Sequence, residues 1–155
     1  MGVWIRRLII IACVMALIPN IFSFFSGLTN ELPEHIQGKV NNGDAVLIDL
    51  DKKVNLENDE ILFKYLVLAA EETSLIFEVH SKENGWSFPG SAFELKDKQG
   101  NTYRGTGGTS SGRTWGQYIV QNYEPLKEDV DTIVVDFEWY DRMFQTEFSL
   151  DQGGA

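Results

Sequence analysis

One cysteine in 155 residues excludes an internal disulfide and leaves no material for a cysteine-based zinc site. Two histidines are too few for a histidine-rich metal centre. Positive charge is scarce as well: 13 Lys and Arg stand against 23 Asp and Glu, a formal net charge of -10. Phosphate contacts are made by Lys and Arg, so this balance excludes an ordinary nucleic-acid binder. What is present, 43% hydrophobic and 23% charged residues, is the composition of one globular domain with a short extension.

Charge is also absent from one long stretch. Leu8 to Leu28 carries none, and Arg6-Arg7 stands just before it. As a helix this run would extend roughly 31 Å, enough for a hydrocarbon core of about 30 Å. Basic residues before the run predict a cytoplasmic N-terminus and an exported remainder. Two readings compete. In one, residues 1–28 form an uncleaved signal anchor. In the other they form a cleaved signal peptide, with Leu8–Ile18 as its apolar core and Pro19 opening the cleavage region. Ile21-Phe22-Ser23 is the one tolerable cleavage site and a poor one, and the apolar character continues through Phe22, Phe24 and Phe25. Both features favour the anchor. Ile10-Ile11-Ala12-Cys13 looks like a lipid-attachment box, but its apolar stretch follows the cysteine instead of preceding it.

Residues 29–43 are polar, with Pro33, Gly38 and Gly43, and read as a tether without a convincing helix. With Arg6 and Arg7 taken from the 13, 11 basic residues remain after position 30 against 23 acidic ones, a balance of -12. Such a domain avoids anionic surfaces and suits basic partners or cations.

Residues 44–150 read as strand after strand: 45–51, 61–70, 74–80, 91–96, 102–104, 115–122, 131–139 and 143–150. Between them stand Glu83-Asn84-Gly85, Pro89-Gly90, Gln99-Gly100-Asn101, the glycine-rich stretch 105–112 and Pro125. Short strands at this spacing predict an all-β sandwich, and residues 151–155 a short tail. With Asp141-Arg142 as the last turn, Trp139 opposes Phe144, Phe137 opposes Thr146, Val135 opposes Phe148 and Ile133 opposes Leu150. One face is then apolar and the other opposes Asp136 to Glu147, a like-charge pair that a nearby Lys would relieve.

Gly107 to Thr114 matches the phosphate-binding pattern G-x-x-x-x-G-K-[ST] except for Arg113. That pattern works at the mouth of a helix, and here a strand follows, so no nucleotide is expected. The stretch reads instead as a loop, with Arg113, Trp115 and Tyr118 as candidate binding residues. An arginine beside an aromatic ring holds a carboxylate or phosphate while the ring covers an apolar part of the ligand. Asp49, Asp51, Glu57, Asp59 and Glu60 form an acidic cluster without calcium-loop spacing. Trp86 and Phe88 read as a core plug. His80 has no G-x-S-x-G elbow to serve. The sequence thus holds no enzyme signature, no metal site and no cofactor motif.

The order Glu71–Val79, then Phe93–Tyr103, then an apolar hairpin over 131–150, resembles the immunoglobulin-like domains of membrane-tethered Gram-positive bacterial proteins. Its most specific element is Leu95-x-Asp97-x-x-Gly100-x-x-Tyr103. The resemblance implies an extracytoplasmic immunoglobulin-like β-sandwich without catalysis. Some such domains sit on anti-sigma factors. Only seven residues precede the apolar run here, so sigma-factor binding is not carried over. The expectation is a non-catalytic interaction module of the cell envelope. It would meet the membrane through residues 8–28, take a protein partner, and bind neither nucleic acid nor nucleotide. The alternatives are a hydrolase of wall components or a structural subunit of a membrane complex.

Overall fold

A computed structural model describes residues 32–82 and 87–150. The apolar run and the C-terminal tail lie outside these residues. Among the described residues no helix is long and apolar enough to cross a membrane. The described residues from Gly38 on form one compact unit.

A helix, α1 (Glu34–Asn41), occupies much of the stretch expected to be a tether. Pro33, Glu34 in the first turn and Lys39 in the last are ordinary helix-terminus choices. Gly43 ends it at φ 79°. The Gly43 amide donates to Val40 (3.1 Å) and the Asp44 amide to Lys39 (2.9 Å), a Schellman closure. Polarity along the segment hides this helix from a reading based on apolar periodicity.

Among the described residues nine strands follow, in two antiparallel sheets. The first, in order β1-β2-β3-β7-β6, is built from β1 (Ala45–Leu56), β2 (Asp59–Ala69), β3 (Thr73–Ser81), β6 (Gly105–Arg113) and β7 (Gly116–Tyr123). The second, β5-β4-β8-β9, holds β4 (Phe93–Asp97), β5 (Thr102–Tyr103), β8 (Thr132–Trp139) and β9 (Arg142–Ser149). All-β architecture is thus as expected. The segment 61–70 is a strand inside the first sheet, where Lys64 forms a bulge between the pairs Phe63–Phe77 and Tyr65–Ile76. Ile61, Phe63 and Leu66 lie in the core without exposure.

Two further expectations are corrected. The glycine-rich stretch is a strand and not a loop. Residues 105–113 pair with β7 from Gly105–Tyr123 to Arg113–Gly116, at the sheet edge, where missing side chains cost no packing. The last hairpin turns at Tyr140-Asp141, with Tyr140 at φ 58°, so Trp139 faces Arg142 and Phe137 faces Phe144. The expected register is off by two residues. A slip of two leaves every side chain on its own face, so the apolar match could not expose it. Asp136 then faces Gln145, and its carboxylate meets Lys96 at 2.8 Å, while Glu147 meets Lys98 at 3.1 Å.

The sheets close on an aromatic core. The Phe93 ring lies 4.8 Å from Phe77, 5.2 Å from Phe137 and 5.7 Å from both Phe63 and Phe88, centroid to centroid. Phe88 stacks on Phe137 at 5.1 Å and is the core plug expected of its segment; Trp86 lies outside the described residues.

Candidate functional site

At one end of the sandwich four connections meet: the β1–β2 turn at Glu57-Asn58, the exit from β3 at Ser81, the β6–β7 turn at Thr114-Trp115 and the β8–β9 turn at Tyr140-Asp141. Backbone bonds tie them. The Ser81 amide donates to the Trp115 carbonyl (3.2 Å) and the Lys82 amide to the Asn58 carbonyl (3.1 Å). Gly116 is required there, because a Cβ on it would stand 1.8 Å from the Val79 carbonyl oxygen.

Arg142 links the two sheets at this end. Rooted on β9, it donates to the Asp59 carboxylate and, at 3.3 Å, to the Leu56 carbonyl on the opposite sheet. Its guanidinium lies 5.9 Å from the Phe88 ring centre, and Glu57 approaches Nε at 3.5 Å. Nε is buried without a hydrogen-bond partner. The arginine and Asp59 side chains are only 15% and 12% exposed, so this pair is more than a surface ion pair.

Beside the pair opens a cleft of about 230 Å³, lined by Glu57, Asp59, Asp141, Arg142, Trp139 and Tyr140 among others. Its lining carries three carboxylates against one guanidinium. Trp139 and Tyr140, whose rings meet edge to face at 5.3 Å, also line an open groove with Glu94 and Glu138. Large exposed apolar side chains concentrate here. Of the five among the described residues, Val46 apart, Trp115, Trp139, Tyr140 and Met143 lie in or beside these turns, with Tyr140 86% exposed.

The candidates read from sequence fall at the same end. Trp115 occupies the β6–β7 turn, its ring 4.4 Å from that of His80. His80 Nε2 lies 3.2 Å from Glu78 Oε2. Arg113 closes β6, exposed, and Tyr118 is half-buried on β7. The register opposes Arg113 to Gly116 and Tyr118 to both Ser111 and Glu78, with His80 opposite Gly116. Directly opposed residues share a face, so Arg113, Tyr118, Glu78 and His80 lie on the outer face of the first sheet. The cleft at Arg142 is a separate feature that the sequence reading missed. Its signal was Trp139-Tyr140 in a hairpin tip, where small polar residues are usual. The acidic cluster is dispersed among cations: Glu60 meets Lys53 at 2.9 Å and Asp59 meets Arg142. Among the described residues, no three His, Cys, Asp or Glu side chains gather as metal ligands.

No curated protein is similar in sequence at a significant level. A crystal structure described as the conserved domain protein from Bacillus anthracis shares the fold, with a TM-score of 0.52 and 10% identity over 70% of this chain. The chain spans 50% of that protein's length, and the likeness concerns the fold alone. Over residues 46–152 the sequence matches a family model, and the chain belongs to that family of unknown function, DUF5643.

Proposed function

We propose that this chain is a non-catalytic interaction module of a bacterial cell envelope, held to the membrane by residues 8–28 and carrying an immunoglobulin-like sandwich outside. The strand order supports the fold reading. With β1 set aside as an addition, β2-β3-β7-β6 follows the immunoglobulin order A-B-E-D, and β5-β4-β8-β9 follows C′-C-F-G. The turns around Arg142 are then the B–C, D–E and F–G connections, the end from which such sandwiches commonly bind.

One observation carries the functional reading. Exposed Trp139 and Tyr140 meet edge to face and line the cleft, with Trp115 and Met143 exposed in or beside the turns of the same end. Exposed aromatic side chains gathered on one patch mark interaction surfaces, and Trp and Tyr dominate their energetics. The partner is a protein with cationic side chains, to suit the acidic lining and the -10 charge.

The test is photo-crosslinking in intact cells of the full chain, with p-benzoylphenylalanine at position 140, 115 or, as a control at the far end, 99. Light-dependent adducts at 140 and 115, absent at 99 and reduced by Trp139→Ala, are expected. Equal labelling at 99, or no adduct at 140, overturns the reading.

A further inference from the structure

The outer edge of β6 is unlike the other sheet edges. β1 is interrupted by a bulge between Asp49 and Lys52, with Asp51 at φ 34°, and bears Asp49, Asp51, Lys52 and Lys53. β5 is two residues long. β9 carries Arg142 and Glu147, and the Lys52 ammonium donates to the Glu147 carbonyl at 3.0 Å. Bulges, charges and shortness are the devices that keep edges from pairing with another chain. β6 has nine residues, Gly-Thr-Gly-Gly-Thr-Ser-Ser-Gly-Arg, all exposed, with no proline and no charge before Arg113. Its irregularity lies at one end, between Gly105 and Gly107, and Gly108 to Arg113 runs in regular register with β7. Among the described residues no strand pairs with its other side. The edge therefore offers a row of main-chain donors and acceptors to an extended backbone.

Charge selects the occupant. In a chain of net charge -10, residues 98–123 contain no Asp or Glu, and their charged residues are Lys98, Arg104 and Arg113. Two copies that approach through β6 bring no carboxylates together. We propose that β6 joins two copies of this chain, antiparallel across a two-fold axis near Ser110, into one continuous sheet. In that register Thr109 faces the partner's Ser111 and Gly108 faces the partner's Gly112. Hydroxyl pairs of this kind are favourable across strands. Arg113 faces the partner's Gly107, so no like charges are opposed. Every side chain in the central contact is Thr, Ser or Gly, and none is bulky enough to hold the strands apart. The join is independent of the cleft at Arg142.

The full chain, purified in detergent micelles, decides this in two ways. Sedimentation is expected to give the mass of a dimer, and Ser110→Glu, placing two carboxylates together at the axis, to weaken association about tenfold with the circular dichroism unchanged. In a Cys13→Ser background, mild oxidation of Ser110→Cys is expected to yield a disulfide-linked dimer that a matched Glu128→Cys control does not. A monomer, a dimer indifferent to Ser110→Glu, or equal cross-linking at both positions overturns the proposal. The second result would place any association in another part of the chain, and a monomer that captures only foreign acidic strands would give the edge to a different partner.

Discussion

Asp97 shows what a single residue settles in this fold. It is 3% exposed at the end of β4, where burial works against its charge. Hydrogen bonds outweigh that cost: from the Asn101 side chain (2.6 Å), the Asn101 amide (2.8 Å), the Tyr103 hydroxyl (3.2 Å) and the Gln99 amide. Its carboxyl is therefore held below the usual range. Gly100, at φ +85°, turns the chain so that Asn101 can reach it. The spacing Leu95-x-Asp97-x-x-Gly100-x-x-Tyr103 was legible as strand, turn and strand, and each of its members has a local structural task. A group with a depressed folded pKa contributes stability that is present above its unfolded value and lost as pH falls through the folded one. Taking about 3.9 for the unfolded carboxyl, Asp97→Asn is expected to be less stable than the parent at pH 7. The difference should shrink steadily below about pH 4. Urea melts from neutral to strongly acidic pH check this, and a pH-independent difference would remove the carboxylate from the account.

At the scale of elements, alternation told the faces of the last hairpin but not its register. Ile133, Val135 and Phe137 are fully buried, and Phe148 and Thr146 nearly so, as a two-residue period dictates. Register needs the turn, and Tyr140-Asp141 has none of the glycine signal that marks a hairpin tip. β6 escaped notice for the opposite reason. A strand of glycine and hydroxyl residues has no hydrophobic pattern, and it exists because β7 supplies its hydrogen bonds. The hairpin gives a direct comparison. Phe137→Ala and Phe148→Ala each empty part of the aromatic core and are expected to cost about 3–5 kcal/mol. Glu138→Ala and Gln145→Ala, on the exposed outer face, should stay within about 0.5 kcal/mol. Denaturant melts of the four variants measure this; comparable losses on both faces would mean that the outer face is covered.

At the scale of the molecule, the site was the least legible part. Arg113 and Trp115 stood out by their chemistry within a few residues of each other. Asp59 and Arg142 are 83 positions apart, and only the packing of one sheet on the other makes them a pair. No local pattern encodes such a contact. Orientation in the cell has the opposite character, because it rests on sequence alone. Arg6-Arg7 precedes the uncharged run, and every acidic residue follows it. On the proposed reading, insertion of the run with the arginines on the cytoplasmic side would place the whole sandwich, with its exposed aromatic end, outside. Alkaline phosphatase fused after Ala155 is active only when exported, and a green fluorescent protein exported by the same route stays dark. The phosphatase fusion is therefore expected to be active and the fluorescent one dark. Changing Arg6 and Arg7 to Glu, with lysines added after Leu28, should invert both readouts, since the charge bias would then favour the other orientation. A fluorescent fusion of the unaltered chain would put the sandwich in the cytoplasm and end the envelope reading, while leaving the fold and the aromatic end of the sandwich as they are.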